Sequence, residues 1–266
     1  MIGIFGSAFM QKALLVGIVV SLISGFVSAF VVLRKMSFIG AGISHAAFGG
    51  VAIGFFAGIN PTISAVVYAM AVALGIEFVS RRGKVASDTS IGIFFASSMA
   101  LGIVLISLSR AYTVDLFGYL FGNILAITKG EVLLSLFVGV LVVGTIVLFL
   151  KEIFITTYNE DIARVSGISV RAINILFLVL LSISIVISMK IVGIILISAL
   201  LVIPGATAQL FARNLYFMIA VSCGVAVIST ILGLILSYEF DIAPGGSIVL
   251  TATAIFLVAL FFKRKS

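Results

Sequence analysis

The sequence predicts an all-α, polytopic membrane protein with about eight or nine transmembrane helices. Of its 266 residues, 63% are hydrophobic and only 9% are charged, and the mean hydropathy is +1.42. Soluble domains carry about 25% charged residues, so this chain has too little polar surface for a water-soluble fold. At about 20 residues per membrane-spanning helix, its length is sufficient for roughly eight to ten crossings.

Apolar stretches of suitable length follow one another along the whole chain. In order, they lie at about 9–33, 38–58, 60–79, 91–109, 131–150, 172–189, 191–205, 215–237 and 247–262. The stretch at 191–205 is short for a full crossing, which leaves the count at eight or nine. Neither a fixed-period repeat nor a linker-like segment divides the chain, so a single transmembrane domain is predicted over residues 1–266.

The basic residues predict the orientation of these helices in the cell membrane. If the loop at Arg34 and Lys35 is cytoplasmic, alternation of sides places twelve of the sixteen Lys and Arg residues inside and four outside. Because cytoplasmic loops carry an excess of basic residues, the N-terminus is predicted outside the cell and the C-terminus in the cytoplasm. The formal net charge of +7 then reflects membrane topology rather than nucleic-acid binding.

The only histidine of the chain, His45, lies early in the second predicted span. Ionisable side chains are costly within a membrane and often mark a transport path, and imidazole is a ligand for zinc and other transition metals. A hydrogen bond between helices is the structural alternative for this residue. Gly50, Gly54 and Gly58 recur every fourth residue in the same span, which predicts a smooth face for close packing or gating.

The motifs that the sequence lacks narrow the function. It contains no GxxxxGK[ST] pattern, so any ATP hydrolysis belongs to a partner subunit. It contains no HExxH pattern, and its nine acidic residues lie in loops or at span ends, which argues against an intramembrane hydrolase and against a proton relay. A secondary transporter or channel, and a membrane-embedded enzyme or sensing subunit, are the alternatives to a permease driven by a separate ATPase.

The segment Ile191–Leu215 combines an apolar run with helix-breaking residues. Pro204 and Gly205 are predicted to break or kink the helix, and a short helical stretch of mixed polarity follows at 206–213. Two interpretations of this stretch are open. It is either a simple loop between spans or a cytoplasmic element on which an ATPase docks.

Six sequence blocks, in this order, carry a resemblance to a known family. They are Arg34–Ala46, Asp88–Gly92, Asp115–Thr128, Asp161–Gly167, Met189–Ala212 and Asp241–Leu250. Through them, nearly the whole chain resembles the zinc/manganese permease branch of ATP-binding-cassette (ABC) importers, the ZnuB-type membrane subunits. No single block is diagnostic, but the six together make the resemblance specific.

The resemblance implies a type II ABC importer-like permease that carries a divalent metal ion, zinc or manganese, with iron as a further option. It implies a cytoplasmic ATPase subunit that holds ATP, an extracytoplasmic metal-binding solute-binding protein, and a second copy of the permease in a homodimer. The chain itself is then a transport protein that is not an enzyme and binds no cofactor of its own. A permease for a metal chelate is the alternative within the same superfamily.

The resemblance also implies roles for individual residues. His45 matches the histidine of the family's second span and is the first predicted metal contact. The family often has an acidic residue four positions earlier, where this chain has Ala41. The path then relies either on transient contacts or on a carboxylate from Asp115 or Asp241, for which a solvated loop residue or a helix cap is the structural alternative. The region at 203–215 is predicted to couple the permease to the ATPase through Pro204, Gly205, Ala206, Gln209 and Arg213.

Overall fold

The computed structural model describes residues 8–109, 122 and 128–263, whose regular secondary structure is entirely α-helical. In chain order, the helices of these residues are α1 (Ala8–Leu33), α2 (Ile39–Ala57), α3 (Pro61–Gly83), α4 (Ser87–Ser109), α5 (Lys129–Leu148), α6 (Leu150–Tyr158), α7 (Glu160–Val165), α8 (Val170–Val192), α9 (Ile194–Leu200), α10 (Ile203–Phe211), α11 (Leu215–Phe240) and α12 (Pro244–Lys263). The all-α prediction is confirmed.

Nine segments of the described residues are long and apolar enough to cross a membrane, in agreement with the nine predicted stretches. The stretch at 191–205 differs from its prediction, because it forms two short helices, α9 and α10, separated at Leu201 and Val202. The break predicted at Pro204 and Gly205 is therefore wrong. Pro204 lies in the first turn of α10, where a proline loses no intrahelical hydrogen bond and its fixed φ suits the helix.

Local sequence determines several helix ends. Asn60 caps α3, since its Oδ1 accepts the next backbone N–H groups at 2.9 and 3.3 Å, and Pro61 follows at the first helical position. Asn214 caps α11 in the same way, at 2.8 Å. Lys35 after α1 and Asp241 after α11 adopt the left-handed conformation, with φ of 56° and 52°, which ends a helix.

The chain divides into two units by its internal contacts. Unit 1 comprises Met1–Gly40, Asp115–Gly139 and Ser188–Ser266, and unit 2 comprises Ala41–Val114 and Val140–Ile187. Long helices such as α5 and α8 contribute residues to both. Unit 1 is built from three separate segments of the chain and unit 2 from two.

In unit 2, glycines bring α2 and α3 together as an antiparallel pair. A Cβ added to Gly50 would lie 2.7 Å from the Cα of Ala65, and one added to Gly54 would lie 2.6 Å from the Cα of Pro61. The predicted glycine face is therefore confirmed as a packing surface at these two positions. Gly58 has a different role, because it follows the end of α2 with φ of 68°.

In unit 1, hydroxyl groups bind the backbone of neighbouring helices. The Ser222 hydroxyl of α11 donates to the Gly25 carbonyl of α1 at 2.6 Å, and the Ser247 hydroxyl of α12 donates to the Gly233 carbonyl of α11 at 2.8 Å. Small residues and hydroxyls of this kind stabilise helix pairs in membranes because the backbones approach closely. They hold α1, α11 and α12 as the frame of unit 1.

Candidate functional site

His45 lies on α2, one turn after Ala41, and its side chain is half-buried. Its Nδ1 lies 2.9 Å from the Ala41 carbonyl oxygen. The imidazole also packs against the ring of Phe95 on α4, with the ring centroids 4.8 Å apart and the planes at 57°. Because a carbonyl only accepts hydrogen bonds, Nδ1 is the donor of this pair.

The close approach of α2 and α4 places Phe95 beside His45. Gly42 lies against Ile91, and a Cβ added to Gly49 would lie 2.7 Å from the Ser98 carbonyl oxygen. The paired positions increase together along both helices, so α2 and α4 run parallel. The glycines of α2 allow this close approach of the two helices.

Asp241, the second predicted metal residue, is exposed and belongs to unit 1. It follows α11 in the left-handed conformation, and its backbone N–H donates to the Ser237 carbonyl. Asp115, the third, lies outside the described residues. Within the described part of the chain, no three His, Cys, Asp or Glu side chains come close enough to hold a metal ion, so the three predicted contacts stay a prediction.

The predicted coupling region contains α10, whose N-terminal end is buried against α1. The Gly205 N–H donates to the Ser28 hydroxyl at 2.8 Å, and a Cβ on Gly205 would lie 2.5 Å from the Ser28 carbonyl oxygen. Pro204 is buried beside it. Because Gly205 lies in the first turn of α10, its N–H has no acceptor within the helix, and Ser28 supplies one.

The other end of α10 is open to the surroundings. Ala206 is half-buried, whereas Gln209 and Arg213 are exposed, as is Phe211 at the helix end. Ala208 packs in a buried cluster with Ala29, Val32 and Met218. The predicted coupling residues thus fall into a buried anchor and an exposed end.

Comparison with known proteins decides the family of the chain. The family model described as the ABC 3 transport family matches residues 7–263. The chain belongs to the ABC 3 transport family. This membership confirms the resemblance to the zinc/manganese permeases that the six sequence blocks indicate.

Individual curated proteins and a solved structure resemble the chain over most of its length. The manganese transport system membrane protein MntC of Listeria innocua is 38% identical over 99% of this chain and 94% of its own length. The high-affinity zinc uptake system membrane protein ZnuB of Haemophilus influenzae is 40% identical over 76% of this chain and 77% of its own length. A chain in the solved structure of PsaBC from Streptococcus pneumoniae in complex with Fab is 40% identical, has a TM-score of 0.85, and is matched over 92% of its length by 97% of this chain.

The structure of this ABC 3 family member also contains ion pairs that the sequence analysis did not identify. Lys190 pairs with Glu131 at 2.9 Å, and the Thr128 N–H and hydroxyl both donate to the same carboxylate at 2.9 Å. The spacing of Thr128 and Glu131 is the sequence signal of a capping box. The ion pair between Glu131 and Lys190 has no such sequence signal, because the two residues lie on separate helices, α5 and α8.

A second group of ion pairs joins α3 to α7 within unit 2. Arg81 pairs with Glu77 on its own helix and with Glu160 at 2.9 Å, and Arg164 pairs with Glu160 at 3.2 Å. Asn174 of α8 donates to Glu77 at 3.4 Å. The spacing of four residues between Glu77 and Arg81, and between Glu160 and Arg164, is the only local signal for this network.

Proposed function

We propose that this chain is the membrane-spanning permease subunit of an ATP-driven importer of manganese or zinc ions. The observation that carries the proposal is the similarity over nearly the full chain to a relative named for manganese transport, at 38% identity. A relative named for zinc uptake is 40% identical over a shorter part of the chain. Both ions are divalent and accept imidazole and carboxylate ligands, so the same two ligand types suit either ion.

A cytoplasmic ATPase subunit supplies the energy in this proposal, a solute-binding protein delivers the metal from outside, and a second permease copy completes the membrane part. The absence of a P-loop from the printed sequence supports a separate ATPase. Closure of the ATPase pair on ATP then moves the two permeases between outward-open and inward-open states. The permease forms and breaks no covalent bond.

The helix α10 is the coupling element of the proposal. An element that transmits motion needs a firm attachment to the membrane helices and a surface free for the partner. The buried hydrogen bond between Gly205 and Ser28 provides the attachment, and Gln209 and Arg213 provide the exposed end. Docking of the ATPase at that end would pull on α1 through Pro204 and Gly205.

The proposed metal path uses His45 as its nitrogen contact, with carboxylates from Asp115 or Asp241. A transport site binds strongly enough to accept the ion and weakly enough to release it. One imidazole and one or two carboxylates form a more open ligand set than the four protein ligands of a structural zinc site. The presence of Ala41, where related permeases often have an acidic residue, reduces the charge around His45 itself.

The proposed orientation places the N-terminus outside and the C-terminus in the cytoplasm. Its support is the distribution of the basic residues. The helix α11 has 26 residues and at 1.5 Å per residue is about 39 Å long, which exceeds the thickness of the hydrocarbon core. Arg213 and Asp241 flank the two ends of this helix, so the proposal puts the coupling element inside and the predicted carboxylate outside.

Metal analysis of whole cells tests the proposal. Cells with the gene intact, deleted, or carrying His45→Ala are grown in metal-limited medium, and manganese and zinc are measured by mass spectrometry. Loss of one metal in the deletion strain, restored by a plasmid copy of the wild-type gene, identifies the substrate. The same loss in the His45→Ala strain, at equal membrane levels of protein, supports the histidine contact. Normal uptake of both metals by the deletion strain, with other uptake genes also removed, would contradict the proposal.

A further inference from the structure

Two neighbours hold the imidazole of His45 in one orientation. The Ala41 carbonyl accepts from Nδ1 at 2.9 Å, which fixes one edge of the ring. The Phe95 ring lies 4.8 Å away, centroid to centroid, and limits rotation on one face. Within the described part of the chain, His45 makes no second hydrogen bond through its other nitrogen, Nε2.

The hydrogen bond determines which nitrogen is able to bind a metal ion. In a neutral imidazole, one nitrogen carries the hydrogen and the other carries a lone pair. Since Nδ1 donates to Ala41, the lone pair belongs to Nε2. Histidines that bind metals usually donate their second ring N–H to a carbonyl or carboxylate, which fixes the tautomer and the direction of the ligand. A backbone carbonyl serves that purpose for His45, so an acidic side chain at position 41 is not required for it.

We infer that Phe95 is a positioning residue, which holds the imidazole of His45 so that its Nε2 is presented to the transported ion. The inference rests on the proposed function, which supplies the metal contact of His45, and adds to it the residue that orients the ring. Phe95 has no lone pair to offer a cation, and its effect is to restrict the imidazole before the ion arrives. Phe95 is held in place beside His45, because its helix packs through Ile91 and Ser98 against glycines of α2.

Replacing Phe95 by a smaller apolar residue should weaken metal binding without removing a ligand. A side chain that is not held in advance must be ordered when the ion binds, and this ordering weakens binding. For Phe95→Leu we therefore expect a KM for metal uptake that is about threefold to tenfold higher, with the maximal rate retained. Phe94→Leu is the matched control, because the Phe94 ring packs on Gly75 of α3 and not on His45.

A spectroscopic measurement separates positioning from general destabilisation. The chain has a single histidine, so ¹⁵N labelling of histidine in the full chain in lipid nanodiscs gives one pair of ring nitrogen signals. We expect a protonated Nδ1 and an unprotonated Nε2 in the wild type, and averaged signals in Phe95→Leu. Added zinc ions should shift the Nε2 signal of the wild type first.

The outcomes distinguish this inference from the proposed function. An unprotonated Nδ1 in the wild type, or equal KM values for Phe95→Leu and Phe94→Leu at equal protein levels, would overturn the inference. Neither outcome would contradict the proposed importer function. A deletion strain without any metal deficit would overturn the importer, whatever the ring signals show. A higher KM in Phe95→Leu only, together with ordered ring signals in Phe94→Leu, would support the positioning role.

Discussion

Single glycines set the distance between α2 and α3 at the residue scale. The backbone of Gly50 faces the backbone of Ala65, and a Cβ at Gly50 would lie 2.7 Å from the Ala65 Cα. No side-chain rotation relieves that contact, because the position of a Cβ is fixed by its own backbone and its partner is a main-chain atom. Gly92 of α4 differs, since a Cβ added there meets no atom within 4 Å in the described structure. The two positions allow a direct test of close packing.

Gly50→Ala should destabilise the protein by about 1–3 kcal/mol, because an added methyl group overpacks the interface. Gly92→Ala should be neutral or slightly stabilising, since alanine favours helix more than glycine by up to about 1 kcal/mol. The difference in stability is measured as the apparent Tm of each variant in detergent, which is determined by size-exclusion chromatography after heating. Equal Tm values for the two variants would contradict close backbone packing of α2 on α3 at Gly50.

At the scale of secondary structure, a buried hydrogen bond attaches the first turn of α10 to α1. The first turn of every helix has N–H groups without acceptors in that helix, and in α10 the Gly205 N–H finds the Ser28 hydroxyl of α1. Ser24 lies one turn earlier on α1 and is equally buried, but its hydroxyl has no hydrogen-bond partner among the described residues. The pair Ser28 and Ser24 is a matched comparison of the same side chain with and without a partner.

Ser28→Ala should cost about 1–3 kcal/mol, because it leaves the buried Gly205 N–H without an acceptor. Ser24→Ala should be neutral or stabilising, since it removes a buried hydroxyl that lacks a partner. In proteoliposomes with the ATPase, Ser28→Ala should also transport fewer metal ions per ATP hydrolysed, because α10 is less firmly attached. If both variants keep the stability and the transport ratio of the wild type, the attachment of α10 through Ser28 has no role in coupling.

One ion pair, between Arg81 and Glu160, joins the short helix α7 to α3. Arg81→Gln removes both Glu77 and Glu160 as partners of residue 81. These groups are partly exposed, and such pairs contribute about 0.2–1 kcal/mol each, so trypsin should cleave after Arg164 about twofold to fivefold faster. Arg82→Gln is the control, because it also removes one trypsin site and its neighbour is Phe78 of the same helix. The difference should shrink at high salt, which screens exposed charges, and equal cleavage rates at low salt would contradict the role of Arg81.

The same elements show which parts of the structure local sequence predicts. The long helices follow from apolar runs with capping residues such as Asn60 and Asn214, and these signals act within a few residues. The break before α10 was misplaced because Pro204 is compatible both with ending a helix and with starting one. The contacts of Glu131 with Lys190 and of His45 with Phe95 join separate helices, so only the packed chain determines them.

For the whole molecule, the orientation in the membrane is the property on which the placement of both predicted sites depends. Basic residues at Arg34, Lys35 and Arg213 and the pairs around Arg81 would face the cytoplasm in the proposed topology. Asp241 would face the outside, where metal ions arrive. In the reverse orientation, the exposed end of α10 would lie outside the cell, where there is no ATP. The proposed coupling role of α10 therefore requires the proposed orientation.

Single cysteines at the two ends of α11 test this orientation. Cys223 is the only native cysteine, and Cys223→Ser keeps a donor near the Leu22 carbonyl that the thiol contacts at 3.7 Å. In that background, Ala212→Cys and Ala243→Cys introduce thiols at exposed positions before and after the helix. A maleimide that does not cross membranes should label Ala243→Cys in intact cells, and Ala212→Cys only after the cells are permeabilised, because a full membrane crossing separates them. Labelling in the opposite pattern would show that the orientation is the reverse of the proposed one. It would also exclude docking of a cytoplasmic ATPase at Gln209 and Arg213, even if metal uptake by the chain were established.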